Sequence, residues 1–222
     1  MPAWTLLQLR EAVRTKGDYP SSPVMTDAFV TQSINEALAE LYELVSDQFQ
    51  GHYDTSSEVV TVAGTQTVNL PAAMLNLRAL DWKRATDHYT PLRRISMTQS
   101  YAYQGRGLPS AYMLYGGTAP GTIRLFPVPS AVYTLRVTYE PLFTALASDS
   151  DSFDFRNGWE EYVHQAALLR LDAREERPLG DRMGLIDRAR QRIIGSAGKR
   201  NSAEPEYLST WPEGSIMDEG LG

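Results

Sequence analysis

The three histidines are the side chains with the widest potential for acid–base chemistry or metal binding. The sequence places His52 in a loop, His88 at a hairpin tip and His164 in a helix. None has metal-ligand spacing to another histidine, and the chain contains neither an H-E-x-x-H motif nor a serine in a nucleophile elbow. We therefore expect these histidines to be surface or packing residues.

A short aspartate cluster is the next candidate. Asp149, Asp151 and Asp154 are spaced like part of a calcium loop, but the turn glycine and the final bidentate glutamate of such a loop are missing. The glycine-rich stretch 116–121 leads into a predicted strand, so it offers no helix N-terminus to a phosphate. An enzyme would have only these aspartates and His164 to use. We expect no enzyme activity, no cofactor and no metal.

Four carboxylates form the most distinctive pattern of the chain: Glu36, Glu40, Glu43 and Asp47. Their spacing puts them on one face of a helix, opposite an apolar face made by Val30, Ile34, Ala37, Leu38, Leu41 and Val45. The 61 residues between Lys16 and Arg78 hold eight acids and no Lys or Arg. Like charges one turn apart cost an isolated helix about 0.2–0.5 kcal/mol per pair. This acidic stripe must therefore take its counter-charge from elsewhere, or its negative surface is used.

Three interpretations of the acidic stripe are open: a solvated face, the lining of a channel, and a contact with a neighbouring copy. Repeated around a ring, the stripe would give a channel a negative wall. Duplex DNA carries one charge per about 1.7 Å of its axis, so such a wall would let it slide without adhering. In the third interpretation the stripe meets a basic surface of the next subunit.

Charge is segregated along the chain. The net charge of −6 and the pI of about 5.1 argue against general nucleic-acid binding through a basic surface. Residues 78–140 nevertheless hold eight basic side chains and three acids, whereas residues 141–222 hold ten and fifteen. Unlike patches suit a subunit that meets copies of itself or another large partner.

Hydrophobic periodicity predicts the elements that carry these residues. We expect helices over residues 4–15, 26–49, 159–177 and 181–195, with Thr26 as an N-cap. Between them the period changes to two, and strands are predicted at 58–62, 66–70, 77–83, 90–95, 111–115, 122–126 and 133–140. Hairpins are expected at 63–65, near Asp87-His88 and at 127–130, and a short helix near 97–103.

The prediction is an α+β protein, an up-down bundle of about four helices with an antiparallel β-rich insertion and an extended C-terminal tail. Residues 1–52 and 141–198 form the bundle, 53–140 the insertion and 199–222 a partner-binding tail. No apolar run reaches the length of a membrane span, and no signal peptide is recognisable. We expect synthesis in the cytoplasm.

The last predicted helix and the tail offer a second candidate surface. In that helix, Met183, Ile186, Ile193 and Ile194 are predicted to face inward. The other face is basic and carries Arg182, Arg188, Arg190 and Arg192. The tail has isolated Tyr207, Leu208 and Trp211 among Ser, Pro, Gly and acids, a composition that a partner surface can order.

The order of these segments resembles the head-to-tail adaptor (connector) proteins of tailed bacteriophages, in the short-tailed type with a β-rich insertion. The likeness spans about residues 4–177, and the segments that carry it are 6–13, 26–30 with 34–41, 123–129 with 133–141, and 159–164. No single segment is as specific as a zinc-ligand pattern; their order is what resembles the family.

The resemblance implies a structural virion protein of the neck. Such proteins commonly form a ring of about twelve copies beneath the portal, through which DNA passes during genome ejection. The bundle would form the ring wall, and the insertion would support nozzle or fibre proteins of the tail. The portal would be held by the C-terminal segment: Arg182, Arg188, Arg190, Arg192, Tyr207, Leu208 and Trp211.

An alternative function is a receptor- or carbohydrate-binding β module on a helical stalk. Aromatic residues of the insertion, namely Trp82, Tyr112 and Tyr115, would then be exposed stacking platforms rather than packing residues.

Overall fold

A computed structural model describes residues 3–19, 25–49, 51–86, 88–116, 121–155 and 158–201, with side chains up to residue 196. The helices in these ranges are α1 (Leu6–Gly17), α2 (Asp27–Gln48), α3 (Met97–Ser100), α4 (Glu160–Arg174) and α5 (Gly180–Asn201). Four of them form the predicted bundle, and the β-rich region lies between α2 and α4 in sequence. The fold is α+β.

Most strands of the described ranges are short. The strands are β1 (Ala3–Thr5), β2 (Thr55–Val60), β3 (Thr67–Asn69), β4 (Met74–Ala85), β5 (His88–Pro91), β6 (Arg93–Arg94), β7 (Arg106–Gly107), β8 (Ala111–Tyr115), β9 (Thr122–Phe126), β10 (Val128–Pro129), β11 (Thr134–Pro141) and β12 (Ser152–Asp154). Of these, β4 and β11 are the longest. β1 pairs with β12 beside the bundle, and the strands from β2 to β11 make up the β domain.

Helix α2 has the predicted length, cap and faces. The Thr26 side chain accepts a hydrogen bond from the Phe29 amide, which satisfies one of the free donors at the helix start. All six side chains predicted to face inward, from Val30 to Val45, are fully buried. They pack against α1, α4 and α5 in a single hydrophobic cluster.

Helix α4 occupies the centre of the bundle. Residues 162–168 are all buried, so no side of this helix over nearly two turns faces solvent. The sequence predicts one inward stripe along this helix: Trp159, Tyr162, Val163, Ala166, Leu169 and Ala173. The prediction is wrong at the end of the stripe, where Leu169 is half-buried and Ala173 is exposed, whereas Leu171 and Asp172 are buried.

Helix α5 is held mainly by its second half. Ala189 and Ile193 are buried against the bundle, and Ile186 packs at its edge. Met183, predicted to face inward, is instead exposed, as is Leu185 in the same turn. The first turns of α5 thus leave apolar side chains on the surface.

The β domain is a sandwich of two four-stranded sheets. One sheet has the order β2-β11-β4-β5 and the other β3-β9-β8-β6. Their facing side chains form one cluster, which includes Val68, Tyr112, Ile123, Leu135 and Val137. The sequence of β11 predicts Leu135, Val137 and Tyr139 on an apolar face and Glu140 on the solvent face. The three apolar side chains are buried as predicted, but Glu140 is buried as well.

Two of the three predicted hairpins were wrong. β4 and β5 do form a hairpin, with Trp82 opposite Thr90. Residues 63–65, however, connect β2 to β3, and residues 127–130 lie between β9 and β11, and in each case the two strands belong to different sheets. Short range periodicity identifies strands but not their partners. The β domain also contains parallel pairs, which the antiparallel prediction did not include: β6 with β8 in the second sheet, and β10 with β7 in a separate two-stranded sheet.

A buried polar cluster joins the β domain to the bundle. Glu140, at the end of β11, is almost fully buried and accepts hydrogen bonds from Ser46 of α2, from Asn76 at 3.1 Å and from Arg78 at 2.7 Å. The Tyr42 hydroxyl of α2 donates to the carbonyl of Pro141 at 2.5 Å. These bonds fix the C-terminal half of α2 against the sheet and so set the position of the acidic stripe relative to the β domain.

Candidate interaction surfaces

The acidic stripe lies along the exposed face of α2, as predicted. Glu36, Glu40, Glu43 and Asp47 are all exposed. Arg170 of α4 supplies a counter-charge to the N-terminal half: its Nε lies 3.1 Å from a Glu36 oxygen, and its Nη2 donates to Glu40. The Tyr162 hydroxyl also lies 3.3 Å from Glu40. One arginine therefore serves two carboxylates, and this half keeps a net negative charge.

The negative charge of the C-terminal half of the stripe is less compensated by basic side chains. Glu43 and Asp47 line a polar cleft of about 400 Å³ together with Glu40, Leu44, Tyr162 and Arg190. Neither Glu43 nor Asp47 forms an ion pair with another side chain that the structure describes. The sequence could not reveal the difference between the halves, because Arg170 is more than 120 residues from the stripe.

The four arginines of α5 do not form one uniform basic face. Arg182 is half-buried, where it donates to the carboxylate of Asp172 and lies 3.4 Å from the side-chain oxygen of Gln165. Arg192 donates to the carbonyl of Gly158 at 2.6 Å, just before α4 begins. Arg188 donates to the carbonyl of Gly184 in its own helix and forms no ion pair with a side chain in the described ranges, and Arg190 lies in the cleft beside the stripe.

Asp172 explains why Arg182 is drawn inward. The carboxylate is buried near the end of α4, and it also accepts a hydrogen bond from the hydroxyl of Tyr19. Burial, followed by this hydrogen bond, raises the pKa of Tyr19 well above its usual range. A buried carboxylate needs such partners, so Arg182 ties α5 to α4 and to the end of α1.

Tyr207, Leu208 and Trp211, the predicted anchors of the tail, lie outside the described residues. Their part in binding stays a prediction.

The candidate catalytic residues have structural roles. His164 is buried beneath Trp4, whose ring centroid lies 5.3 Å away, and its Nδ1 accepts from Lys16 Nζ at 3.0 Å. Burial is the larger cause, and the Lys16 charge the next, of a shift that lowers the pKa of His164 to about 4. The ring is therefore neutral at neutral pH, and its buried Nε2 has no hydrogen-bond partner among the described atoms.

The aspartate cluster stabilises a loop. Asp151 accepts hydrogen bonds from the backbone amides of Ala147 and Ser148, each at 2.8 Å, and these amides, Ser148 first, hold its pKa below its usual range. Asp149 instead pairs with Arg10 of α1. Across the described ranges, no three His, Cys, Asp or Glu side chains are grouped as metal ligands.

The aromatic residues proposed as stacking platforms are mostly packed. Tyr112 is buried in the sandwich, and Trp82 is half-buried against Tyr133 in an edge-to-face contact with ring centroids 6.4 Å apart. Tyr115 is exposed, but the guanidinium of Arg124 lies over its ring. Of these three residues, Tyr115 alone presents an exposed ring, and Arg124 covers one face of it.

The described residues form a helical bundle that carries a β sandwich. Acidic and basic side chains lie on separate surfaces, and the candidate catalytic residues His164, Asp149 and Asp151 are engaged in packing, ion pairs or loop hydrogen bonds. None of the helices in the described ranges combines the length and apolar composition that crossing a membrane requires.

The sequence matches the SU10 adaptor protein family over residues 4–208, and the chain belongs to that family. A comparison with curated proteins found no match. The resemblance to phage head-to-tail adaptors is thereby confirmed, and the match extends past the bundle into the tail. The family indicates a structural component of the virion neck that contacts portal and tail proteins.

Proposed function

We propose that this chain is the subunit of a ring that joins the capsid portal to the tail and lets double-stranded DNA pass through its channel. The observation that carries the proposal is the membership of the adaptor family, combined with unlike charged surfaces on the bundle and on the β domain. A closed ring requires two different complementary surfaces on each copy, and separate acidic and basic surfaces meet that requirement.

In this ring the acidic stripe lies either in the channel wall or between neighbouring subunits. A net negative charge on the half formed by Glu36 and Glu40, after pairing with Arg170, fits a wall that does not hold DNA. The half formed by Glu43 and Asp47 retains the carboxylates that a neighbouring basic surface could use.

The portal contact is proposed for the exposed arginines of α5, Arg188, Arg190 and Arg192, and for the tail with Tyr207, Leu208 and Trp211. Arg182 is engaged with Asp172, so its contribution would be to position α5 rather than to touch the portal. The β domain, which the polar cluster around Glu140 joins to the bundle, is proposed to support nozzle or fibre proteins.

Mass determination of the purified chain, with and without the portal, tests the ring. We expect a closed assembly of about twelve copies in the presence of the portal. A chain that stays monomeric with the portal present would contradict the proposal.

Deleting residues 199–222 tests the tail. We expect portal binding to be lost while the circular dichroism spectrum and thermal unfolding of the chain stay close to those of the full chain, because the bundle core ends at Ile193. Portal binding that is unchanged in the truncated chain would contradict the role of the tail.

A further inference from the structure

The described carboxylates of the β domain are engaged in intrachain ion pairs. Glu58 pairs with Lys83 at 2.5 Å and Asp81 with Arg136 at 2.6 Å. Arg78 serves both Glu140, at 2.7 Å, and Asp54, at 3.4 Å. The carboxylates of this domain that the structure describes are thus already neutralised by its own basic side chains.

Five arginines of the β domain are left without a carboxylate in the described part of the chain: Arg84, Arg93, Arg94, Arg106 and Arg124. The sequence explains this excess, since residues 88–139 contain no Asp or Glu. The positive charge of the β domain therefore remains after the ion pairing of the described residues, and it is concentrated on the second sheet, which includes β6 and β9.

Two of these arginines share the outer face of the second sheet. Arg93 lies opposite Ala111, and Arg124 lies opposite Met113, two residues further along β8. Strand spacing puts their Cα atoms about 12 Å apart on the same face. Ile95 and Tyr103 pack over Ala111 and Met113 between them, so the arginines flank an apolar centre.

The surroundings of this face are typical of a protein interface. The Arg124 guanidinium lies 3.6 Å from the centroid of the Tyr115 ring, and Tyr115 is itself 45% exposed. Met97 and Tyr101, on the segment that covers the sheet, are also exposed. Arg, Tyr and Met are enriched where proteins meet, and the net charge of −6 disfavours a nucleic acid. We call Arg93, Arg124 and Tyr115 the arginine face.

We propose that the arginine face binds Glu43 and Asp47 on α2 of the adjacent copy in the ring. The two carboxylates and the two arginines are exposed or half-exposed, opposite in charge, and unpaired with each other within one chain. Leu44 and Tyr162, which line the same cleft as the carboxylates, supply apolar surface to match Tyr115. The inference rests on the proposed ring and specifies which surfaces close it.

Charge reversal on each side tests the contact. One variant carries Arg93→Glu with Arg124→Glu, and the other carries Glu43→Lys with Asp47→Lys. Assembly on the cognate portal is followed by native mass spectrometry and by light scattering at low salt. We expect each variant alone to need at least about a ten-fold higher concentration to form rings, because like charges then face each other. A control with Glu11→Lys and Asp187→Lys, exposed carboxylates on α1 and α5, should assemble like the unmodified chain.

An equimolar mixture of the two reversal variants gives the decisive result. Each reversed arginine face can then meet a reversed acidic pair, and each unmodified face an unmodified pair, so rings should reappear with the two variants in equal number. Failure of the mixture to assemble, or normal assembly of either variant alone, would overturn the contact while leaving the ring in place. An unmodified chain that forms no ring on the portal would instead overturn the proposed function.

The remaining possibility is that the arginine face binds nucleic acid. Fluorescence anisotropy with a short DNA duplex measures such binding by the unmodified chain. Binding that is lost in the Arg93→Glu, Arg124→Glu variant, together with normal ring assembly, would assign the arginine face to nucleic acid and overturn the inference. Absence of such binding supports the protein contact.

Discussion

His164 shows how a residue with catalytic potential becomes a structural one. Its ring is enclosed between α1 and α4, and the Lys16 ammonium occupies its Nδ1. A proton added to this ring would bring a second positive charge next to Lys16, away from water. Burial and that neighbouring charge are the reasons that the pKa of His164 falls to about 4.

This lowered pKa predicts a loss of stability in acid. In the unfolded chain a histidine takes up its proton near pH 6.5, whereas folded His164 does so near pH 4. Between these values the unfolded state binds more protons, so the free energy of unfolding falls as the pH is lowered. From this group alone we expect a decrease of about 3 kcal/mol between pH 7 and pH 4.

Replacing His164 by Gln should flatten the curve of unfolding free energy against pH over that window, as measured by urea denaturation. The matched control is His88→Gln, which makes the same replacement at an exposed position. Parallel curves for His164→Gln and the unmodified chain would show that the histidine is not the source of the acid sensitivity.

At the scale of the elements, the contact between α1 and α4 depends on the absence of a side chain at Gly17. A Cβ atom at this position would lie 2.4 Å from Leu168 Cδ2 and 2.5 Å from the ring of Tyr19. The end of α1 can therefore approach the central helix only because residue 17 is glycine. Asp18 then ends the helix in the left-handed conformation, with φ of 52°.

Gly17→Ala should lower the free energy of unfolding by about 1–3 kcal/mol, because the added methyl group overpacks a rigid contact. Gly184→Ala is a matched control: it lies inside helix α5, where nothing approaches its Cβ position within 4 Å. That change should raise stability by about 0.5–1 kcal/mol through helix propensity. Urea denaturation of both variants provides the comparison, and equal effects of the two changes would contradict the packing argument.

Prediction from the sequence worked where an element has one buried and one exposed face. Helix α2 and strand β11 are of this kind, and their inward residues were identified correctly. It failed for α4, whose surroundings bury several faces, and for the connections at 63–65 and 127–130, which cross between sheets. Periodicity records the environment along one element and contains no information about which distant element supplies it.

The candidate surfaces show the same limit. The acidic stripe was visible as a spacing pattern, but its division into two halves depends on Arg170, which only the fold brings near. The alternation along β11 predicts Glu140 on the solvent face of its strand, but its side chain is buried at the centre of the junction with the bundle. The signal that could have suggested this is its position at the strand end, beside Pro141.

At the scale of the whole molecule, replacing the two partners of Arg170 tests whether the N-terminal half of the stripe faces the channel. Glu36, Glu40 and Arg170 together carry one net negative charge. Changing both glutamates to glutamine leaves Arg170 without its partners and reverses the local charge to one net positive. Repeated around a ring, the change would turn a wall that repels DNA into one that attracts it.

We therefore expect rings of the Glu36→Gln, Glu40→Gln variant to retain duplex DNA, and particles built with it to eject their genome more slowly than particles with the unmodified chain. The retention should weaken steeply with added salt, because bound counterions are released when DNA binds a basic surface. Rings with Glu11→Gln and Asp187→Asn remove the same number of charges from exposed positions of α1 and α5 and should not retain DNA. If neither kind of ring retains DNA, the N-terminal half of the stripe lies outside the channel, because a reversed charge next to a passing duplex would attract it.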